Sequence, residues 1–262
     1  MNIPRNEDVS VSSKQLSRLA ELDVCTICHA LVDLGYKNSY MRGIQALALP
    51  EKTTQFLGFA RTLRFLPLRE DLVEKQYSDN MRSPHRVALE SITTDDVLVI
   101  DAGGCMESGV IGDIFTRRVM YLGGRAIVVD GVVRDLSSIR QTGLPVFAKG
   151  IHGAGINRYQ MSIGVDDPVQ CGGVTVVKGD IIMGNSDGVI AVPPQTVDEI
   201  VEKYHGTIRM EEWIRNKILH GADLHHYYQH PPLPDVVAEF ERETQPAKFS
   251  GHTTETIHSN AR

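Results

Sequence analysis

The chain has 262 residues, of which 42 % are hydrophobic and 23 % charged, and this make-up is typical of a globular protein with one good-sized core. Its formal net charge of −6 and the absence of any run rich in Lys and Arg argue against a surface that binds nucleic acid. Because no stretch approaches the roughly 20 apolar residues of a membrane span and the start has no apolar signal segment, we expect a soluble, cytoplasmic protein whose four cysteines stay thiols.

The first predicted element is one long amphipathic helix. Apolar residues recur at three- and four-residue steps from Leu16 to Leu34, which is the pattern of a helix that buries one face. Ser12 or Ser13 is the expected N-cap, and Gly35 is expected to end the helix.

A strand and an irregular stretch follow this helix. Residues 57–65 alternate apolar with small or polar side chains, which predicts a strand. Residues 67–96 carry many charges and contain one possible helix, over residues 86–91. We interpret residues 67–96 as either a lid or an insertion.

The middle of the chain holds short apolar segments that predict strands, most of them bounded by glycine. They lie at residues 97–100, 126–129, 145–148, 174–177 and 189–192. Helical windows at residues 113–122 and 133–141 separate the first three strands, and such alternation is typical of an α/β layer. Turn signals at residues 178–180 and 185–188 predict antiparallel hairpins for the later strands, so we expect a mixed sheet.

The last predicted element is a long charged helix over residues 196–220. The tail that begins at Gly221 is rich in histidine, but its prolines and its lack of cysteine favour a solvated extension over a metal-binding tail. We expect this tail to lie outside the core.

Two loops after buried strands carry the residues that could perform chemistry. The first, from Asp101 to Gly112, is rich in glycine and leads into a helix that starts at Asp113, where free backbone N–H groups and a partial positive charge suit a carboxylate. The second ends the next strand with Arg134 and Asp135. Because α/β folds bind ligands where neighbouring strands end, we expect both loops to contribute to one site.

These residue types fit a metal-dependent reaction on a 2-oxo acid. Mg²⁺ prefers a few carboxylate oxygens together with water and substrate oxygens, and Asp113 and Asp135 could supply the carboxylates. Arg134 could hold a carboxylate or an enolate through parallel hydrogen bonds. On spacing alone, however, the simpler interpretation is a charge that complements a helix start plus a surface ion pair.

Twenty residues separate Asp113 from Arg134 and Asp135, and this spacing resembles the D-x20-R-D pattern of one family. That family contains the 4-hydroxy-4-methyl-2-oxoglutarate aldolases and the regulator of ribonuclease E activity A, RraA. Further motifs resemble the family's landmarks in the same order: VLVIDAGG, AIVVDGVVRD, GLPVFAKG, CGGV and GDIIMGNSDGVIAVP. The resemblance extends over residues 16–213.

The resemblance implies an α/β fold, a compact β/β/α sandwich of the RraA-like, swivelling-domain type with mixed sheets. We expect one such catalytic domain over residues 1–220, with the insertion at residues 67–96, and a C-terminal helical extension over residues 221–262. The family usually assembles as trimers or dimers of trimers, so we expect a homotrimer or a homohexamer. A nucleic-acid or membrane partner is not expected.

The resemblance also implies the reaction of a class II pyruvate aldolase, with Mg²⁺ or Mn²⁺ as cofactor and a small 2-oxo acid as substrate. Carried over to this sequence, Asp135 is the direct metal ligand and Asp113 holds a metal-bound water. Arg134 binds the keto oxygen and stabilises the enolate that forms when the C–C bond breaks. The expected contacts of the pyruvoyl carboxylate are Gly109, Ile111, Gly112 and Ile114. Because decarboxylation of oxaloacetate passes through the same enolate, it is a further expected activity.

Some segments depart from the family pattern. Residues 67–96 look longer than the family's usual connection, and residues 151–155 are unusually rich in glycine. Because we expect these segments to border the far end of the substrate, the substrate itself stays open. Two alternatives remain: a non-catalytic regulator that binds a partner protein, and an enolate-forming enzyme that acts on a larger substrate.

Two other motifs have simpler interpretations. Cys25, Cys28 and His29 have the spacing of a c-type haem attachment, but they lie on a predicted amphipathic helix with no evident second axial ligand, so we interpret the cysteines as thiols. Lys149, at a strand end, could serve as a Schiff-base lysine only if its amine were desolvated. We expect Lys149 to form an ion pair near the rim of the site instead.

Overall fold

The computed structural model of the chain describes residues 9–73, 82–156 and 159–244. Their contacts divide the chain into a first unit that ends at His205 and a second unit that begins at Gly206. This division falls inside a helix and before residue 220, where we expect the catalytic domain to end. The predicted domain limits stay predictions.

Helices and strands alternate through the middle of the first unit. Its helices are α1 (Ser13–Leu19), α2 (Val24–Asp33), α3 (Pro84–Glu90), α4 (Asp113–Tyr121) and α5 (Leu136–Arg140), and α6 (Val197–Leu219) continues into the second unit. Its strands are β1 (Gln45–Ala48), β2 (Gln55–Pro67), β3 (Asp96–Gly109), β4 (Ala126–Val133), β5 (Val146–Ile151), β6 (Gln160–Val165), β7 (Val169–Cys171), β8 (Val174–Val176), β9 (Ile181–Asn185) and β10 (Gly188–Val192). Within the described residues, no helix is both long and apolar enough to cross a membrane.

The strands form one large sheet and one small strand pair. The large sheet has the order β1-β5-β4-β3-β2-β9-β10, and β6 pairs with the end of β2. Strands β2, β3, β4 and β5 run parallel, whereas β1, β6, β9 and β10 run antiparallel to their neighbours. Strands β7 and β8 form the separate pair. The predicted mixed sheet is therefore confirmed, and the carboxyl ends of its parallel strands meet at one edge.

Apolar side chains cover both faces of the central strands, which explains the apolar runs at residues 97–100 and 126–129. On one face, Ile127 and Val129 of β4 cluster with Val119 of α4. On the other face, Val128 of β4 clusters with Val176 of β8. The strand pair, the large sheet and the helices form three layers, so the predicted β/β/α sandwich is confirmed.

The single N-terminal helix predicted from the sequence is wrong, because α1 and α2 are separate helices. Between them, the Asp23 carboxylate accepts a hydrogen bond from the Thr26 N–H (2.7 Å) and caps α2. A local bond of this kind offers the backbone an alternative to a continuing helix. The predicted ends are confirmed: Ser12 caps α1 in a reciprocal pair with Gln15, and Gly35 follows α2 with a φ of +89°.

The glycine loop predicted after residue 100 is a continuation of β3. The strand runs on to Gly109 and shifts register twice against β4. Gly103 and Gly104 have φ angles of +60° and +71°, which only glycine adopts readily. Extra residues at such positions bend a strand without ending it, as in a β-bulge.

Two further boundaries differ from the prediction. Helix α5 begins at Leu136 rather than at residue 133, because β4 continues to Val133. The turn at residues 178–180 joins β8 to β9, which lie in different sheets, so it is not a hairpin. The hairpin predicted around residues 185–188 is confirmed as the β9–β10 pair.

The predicted insertion at residues 67–96 contains a helix close to where one is expected. Helix α3 begins after Ser83, whose hydroxyl oxygen accepts a hydrogen bond from the Arg86 N–H (3.5 Å). Residues 74–81 of the stretch lie outside the described residues. Its interpretation as a lid stays a prediction.

His85, in the first turn of α3, is buried against aromatic rings. Its side chain is 6 % exposed and lies edge-on to Phe65 (5.5 Å between ring centroids) and Phe115 (4.9 Å). Among the described residues, no group pairs with its buried Nε2. Burial, assisted by the neighbouring charge of Arg86, lowers the pKa of His85 from its usual 6.5 to about 4.

We expect His85 to make the fold sensitive to mild acid. Between pH 6.5 and pH 4 the unfolded chain binds a proton at this residue and the folded chain does not, so stability falls as the pH falls through this window. From pH 7.5 to pH 5 the loss is about 2 kcal/mol. His85→Phe keeps the aromatic packing and should remove this part of the loss, which urea denaturation at the two pH values measures. An equal loss in both proteins would contradict the prediction.

The second unit consists of the end of α6 together with α7 (Leu224–Tyr227) and α8 (Pro234–Thr244). The ring of Trp213 lies 5.8 Å from that of Tyr227 and 5.7 Å from that of Phe240. Lys217 Nζ pairs with the carboxylates of Glu239 (2.7 Å) and Glu243 (2.8 Å). The predicted helical extension is thus confirmed up to residue 244, and residues 245–262 lie outside the described residues.

Candidate active site

Backbone hydrogen bonds bring the two predicted loops together at the carboxyl edge of the parallel strands. The Val110 N–H donates to the Val132 carbonyl (3.1 Å), and the Arg134 N–H donates to the Ile111 carbonyl (2.9 Å). These bonds tie the segment between β3 and α4 to the end of β4. Arg134 and Asp135 therefore emerge directly beside Gly112 and the start of α4.

Three glycines lie against the Arg134-Asp135 pair, and at two of them an added Cβ atom would come closer than 3.0 Å to it. A Cβ atom added to Gly109 would lie 2.9 Å from the Cβ of Arg134, and one added to Gly112 would lie 2.6 Å from Oδ2 of Asp135. A Cβ atom added to Gly155 would lie 3.1 Å from Nη1 of Arg134. Any larger residue at Gly112 would displace the Asp135 carboxylate, so the glycine-rich sequence is a requirement of this packing.

Asp135 has a backbone conformation that is unusual outside glycine. Its φ of 57° and ψ of 35° lie in the left-handed region, and although it precedes α5 its side chain caps no backbone N–H of that helix. Its Oδ2 accepts a hydrogen bond from Nε of Arg134 (2.9 Å), and its side chain is 38 % exposed. A side chain held in this way is not a helix cap, and strained backbones of this kind cluster at functional sites.

Asp113, the first residue of α4, carries the second carboxylate. It pairs with Nε of Arg117 one helical turn later, at 3.6 Å. Gly112 precedes it as the N-cap and offers no side chain to the first-turn N–H groups of the helix. The structure thus places both predicted carboxylates beside a helix start whose backbone donors suit an anion.

The residues predicted to contact the substrate differ in their hydrogen bonding and in their exposure to solvent. The Gly109 N–H donates to the Ala154 carbonyl (2.8 Å), so Gly109 serves the site by its close packing rather than by a free amide. Ile111 is 1 % exposed, whereas the Ile114 side chain is 75 % exposed. The contacts of Ile111, Gly112 and Ile114 with a substrate stay predictions.

The residues present fit a hard divalent cation that keeps most of its water. In the described ranges, no group of three or more His, Cys, Asp or Glu side chains is arranged to hold a metal ion. Two carboxylates, from Asp113 and Asp135, are too few for a structural zinc site. They match Mg²⁺, which proteins commonly hold by one or two carboxylates while water and substrate oxygens complete its shell.

Lys149 forms the ion pair expected from the sequence. Its ammonium group contacts the carboxylate of Asp130, whose side chain is 1 % exposed. Gln170 of β7 also contacts this carboxylate, so Asp130 is held from two sides. An amine engaged by a buried carboxylate is not the free, desolvated amine that a Schiff base needs, which counts against a Schiff-base role. Cys25 and Cys28 are free thiols of α2.

A cavity in the first unit lies beside this Lys149–Asp130 pair and not at the predicted site. It measures about 560 Å³, and its polar lining includes Asp101, Gln160 and Gln170. Arg134 and Asp135 do not line it, and their side chains are 44 % and 38 % exposed. In one chain, the Arg134-Asp135 pair therefore forms an open surface site.

Two contacts of the site were not predicted, and they differ in whether the sequence carries a signal for them. Gly155 belongs to the glycine-rich run after β5. The sequence shows this run, but it does not show that Gly155 lies against Arg134. Arg117 has the helical i,i+4 spacing from Asp113, which is a recognisable signal for an ion pair.

Comparison with known proteins gives consistent matches. The family model described as RraA-like, Aldolase/RraA, matches residues 24–191. The protein DlpA of Legionella pneumophila is 29 % identical over 170 residues, which cover 65 % of this chain and 26 % of that protein. A protein of Halalkalibacterium halodurans, provisionally named 4-hydroxy-4-methyl-2-oxoglutarate aldolase, is 31 % identical over 116 residues, which cover 44 % of this chain and 55 % of that protein. This chain thus spans less than two thirds of the length of either relative.

A solved structure agrees with these sequence matches. It is that of RraAS2 from Streptomyces coelicolor, described as an unusual member of the RNase ES inhibitor RraA protein family. It is 32 % identical to this chain, with a TM-score of 0.69, and the match covers 78 % of this chain and 97 % of that one. Both the fold and the sequence therefore point to the same family.

Proposed function

The chain belongs to the RraA-like family, and on that premise we propose that it is a divalent-metal-dependent lyase that releases pyruvate from a 4-hydroxy-2-oxo acid. The second product is the oxo acid formed from the rest of the substrate. The observation that carries the proposal is the Arg134-Asp135 pair, against which three glycines pack and whose carboxylate caps no helix. The provisional aldolase name of the Halalkalibacterium relative supports it.

Asp135 and Asp113 are the residues that would hold the metal, with Mg²⁺ or Mn²⁺ as the candidate ion. When bound, such an ion supplies positive charge to the oxygens of a 2-oxo acid. The open start of α4 would receive the carboxylate of the same substrate, because its backbone N–H groups and dipole favour an anion.

Arg134 acts where negative charge develops. When the C3–C4 bond breaks, its electron pair moves onto C3 and the C2 oxygen, so that an enolate forms, while the C4 hydroxyl gives its proton to a solvent water and becomes a carbonyl. The Nε of Arg134 is already bound to Asp135 (2.9 Å), which leaves the outer N–H groups of the guanidinium for the C2 oxygen. Protonation at C3 then completes pyruvate. Oxaloacetate would lose carbon dioxide through the same enolate.

The proposal predicts metal-dependent release of pyruvate. We expect the purified full chain to release pyruvate from 4-hydroxy-4-methyl-2-oxoglutarate and from oxaloacetate, to lose this activity in EDTA, and to regain it with Mg²⁺ or Mn²⁺. A coupled lactate dehydrogenase assay measures the pyruvate. The same mixtures treated with borohydride are the control, because a Schiff-base lyase would be trapped covalently and this protein should not be. Activity that resists EDTA, or no pyruvate from any 4-hydroxy-2-oxo acid, would refute the proposal.

A second candidate function is that of a non-catalytic regulator which binds a ribonuclease. Its specific support is the 32 % identity with RraAS2, a member of a family described as an RNase inhibitor. Co-elution of this chain with a purified ribonuclease of that class, together with inhibition of RNA cleavage and no pyruvate release, would favour it. The predicted homotrimer or homohexamer stays a prediction under either function.

A further inference from the structure

The segment from His152 to Gly155, here called the crossing loop, passes over the end of β4. In the sheet, β4 lies between β5 and β3. The crossing loop leaves β5 at residue 151, where the His152 N–H donates to the Val133 carbonyl (2.9 Å). It reaches the end of β3, where its Ala154 carbonyl accepts from the Gly109 N–H (2.8 Å). The crossing loop is therefore fixed at both ends over the strand that carries Arg134.

His152 and the guanidinium of Arg134 share this strand end. Val133, whose carbonyl holds His152, is the residue directly before Arg134. Gly155, at the other end of the crossing loop, lies so close that an added Cβ would be 3.1 Å from Nη1 of Arg134. Arg134 follows β4, the middle strand of the three. Helix α4 follows β3 and therefore starts on one side of Arg134, whereas His152 follows β5 and lies on the other side.

The imidazole of His152 is oriented by the loop itself. Its Nδ1 accepts a hydrogen bond from the Ala154 N–H (3.1 Å), while the side chain as a whole is exposed. A ring nitrogen that accepts a hydrogen bond carries no proton, so the proton of the ring lies on Nε2. The His152 side chain therefore presents one N–H donor, on a ring whose position is already restricted.

This donor differs from the other cationic or donor groups around the site. Arg117 is paired with Asp113, and Lys149 with the buried Asp130. Among the residues that the structure describes, no carboxylate pairs with the His152 ring. The Nε2–H is thus available to a group brought by the ligand.

The spacing of the strands suits a five-carbon diacid. Neighbouring strands lie about 4.8 Å apart, so β3 and β5 are separated by about 10 Å. Four C–C bonds of about 1.5 Å, with a hydrogen bond of about 2.9 Å at each end, span a similar distance. A 2-oxo acid whose C1 carboxylate lies at the start of α4 and whose keto oxygen faces Arg134 would place its C5 group beside His152.

We propose that His152 donates a hydrogen bond from Nε2–H to the C5 carboxylate of a 2-oxo diacid and so makes the site selective for substrates with a second carboxylate. This inference rests on the proposed function for the orientation of the substrate. The inference also assigns a role to residues 151–155, which depart from the family pattern. Their glycines let the crossing loop lie close to Arg134, and the loop holds His152 on the β5 side of that arginine.

Binding of two matched ligands tests the inference without requiring catalysis. 2-Oxoglutarate has the C5 carboxylate but no C4 hydroxyl to cleave, and 2-oxopentanoate has the same chain length with a methyl group at C5. Calorimetric titration of the full chain with Mg²⁺ should show tighter binding of 2-oxoglutarate. His152→Asn keeps an acceptor for the Ala154 N–H and removes the Nε2 donor, so it should raise the Kd of 2-oxoglutarate about tenfold or more. The Kd of 2-oxopentanoate should change by less than about twofold.

His152→Gln is the matched control, because its amide N–H lies near the position of Nε2 and should restore most of the preference. If His152→Asn weakens the binding of both ligands equally, the role of His152 is purely structural and the inference is overturned. It is also overturned if His152→Asn leaves the Kd of 2-oxoglutarate unchanged, or if the unmodified protein does not bind 2-oxoglutarate. If the protein binds 2-oxoglutarate more tightly than 2-oxopentanoate through His152 but releases no pyruvate from any 4-hydroxy-2-oxo acid, the inference is supported and the proposed lyase function is refuted. An unchanged KM for a diacid substrate in an active His152→Asn variant would refute the inference alone.

Discussion

Replacing Asp135 by asparagine is expected to reduce metal-dependent pyruvate release about a thousandfold. The carboxylate of Asp135 is half-exposed, caps no helix and lies against Gly112, so its charge has no evident structural use beyond the bond with Arg134. Asparagine keeps the shape and tolerates the left-handed backbone, but its oxygen carries no charge for a divalent cation. The loss corresponds to several kcal/mol of transition-state stabilisation.

The control for this prediction is Asp95→Asn. Asp95 has a φ of 73° and its carboxylate accepts a hydrogen bond from Nε of Arg125 (2.7 Å), so it repeats both the backbone strain and the arginine pair of Asp135. It lies just before β3, at the opposite end of that strand from the site. We expect Asp95→Asn to keep full activity and both variants to keep a thermal midpoint close to that of the unmodified protein. Near-normal activity in Asp135→Asn would contradict the assignment of Asp135 as a metal ligand, on which the proposed function depends.

Replacing Arg134 by lysine is expected to lower kcat about a hundredfold to a thousandfold. The Cβ and backbone of Arg134 lie against Gly109, its Nε binds Asp135 and its Nη1 lies beside Gly155, so the planar group is held at three points. Lysine keeps the charge but has a single ammonium group, which cannot bind Asp135 and a developing enolate in the same geometry. Loss of one such donor commonly costs about 10²–10³ in rate.

The split between kcat and KM distinguishes this role from substrate binding. An interaction made mainly in the transition state lowers kcat and kcat/KM together, whereas loss of ground-state binding raises KM alone. Arg118→Lys is the control on α4, where the guanidinium forms a surface pair with Glu90 (Nε to Oε1, 3.1 Å). We expect steady-state kinetics of that variant to match the unmodified protein. A rise in KM at unchanged kcat in Arg134→Lys would assign Arg134 to binding and not to the enolate.

The two substitutions also separate the two candidate functions. A regulator that binds a ribonuclease through its surface would keep its partner in both variants, because neither change is expected to unfold the chain. A lyase would lose its activity in both. Parallel assays of pyruvate release and ribonuclease inhibition on the same protein samples therefore compare the functions directly.

Much of the fold could be predicted because its signals are local. Residues 126–129 of β4 are all apolar because both faces of this strand are buried, and Gly35 ends α2 because a left-handed residue there favours glycine. The break between α1 and α2 could not be predicted from apolar periodicity, since the stripe continues through it. The side chain of Asp23 decides it by capping the second helix.

For the site, the candidate residues could be predicted without a structure, because the spacing of Asp113, Arg134 and Asp135 and the surrounding motifs indicate the family. How these residues meet became visible in the folded structure. It placed Gly112 and Gly155 against the Arg134-Asp135 pair, and left Asp135 uncapped in a left-handed conformation. The physical reason is that caps and strands depend on neighbours a few residues away, whereas contacts between residues twenty or more apart depend on strand order and register, which one sequence does not reveal.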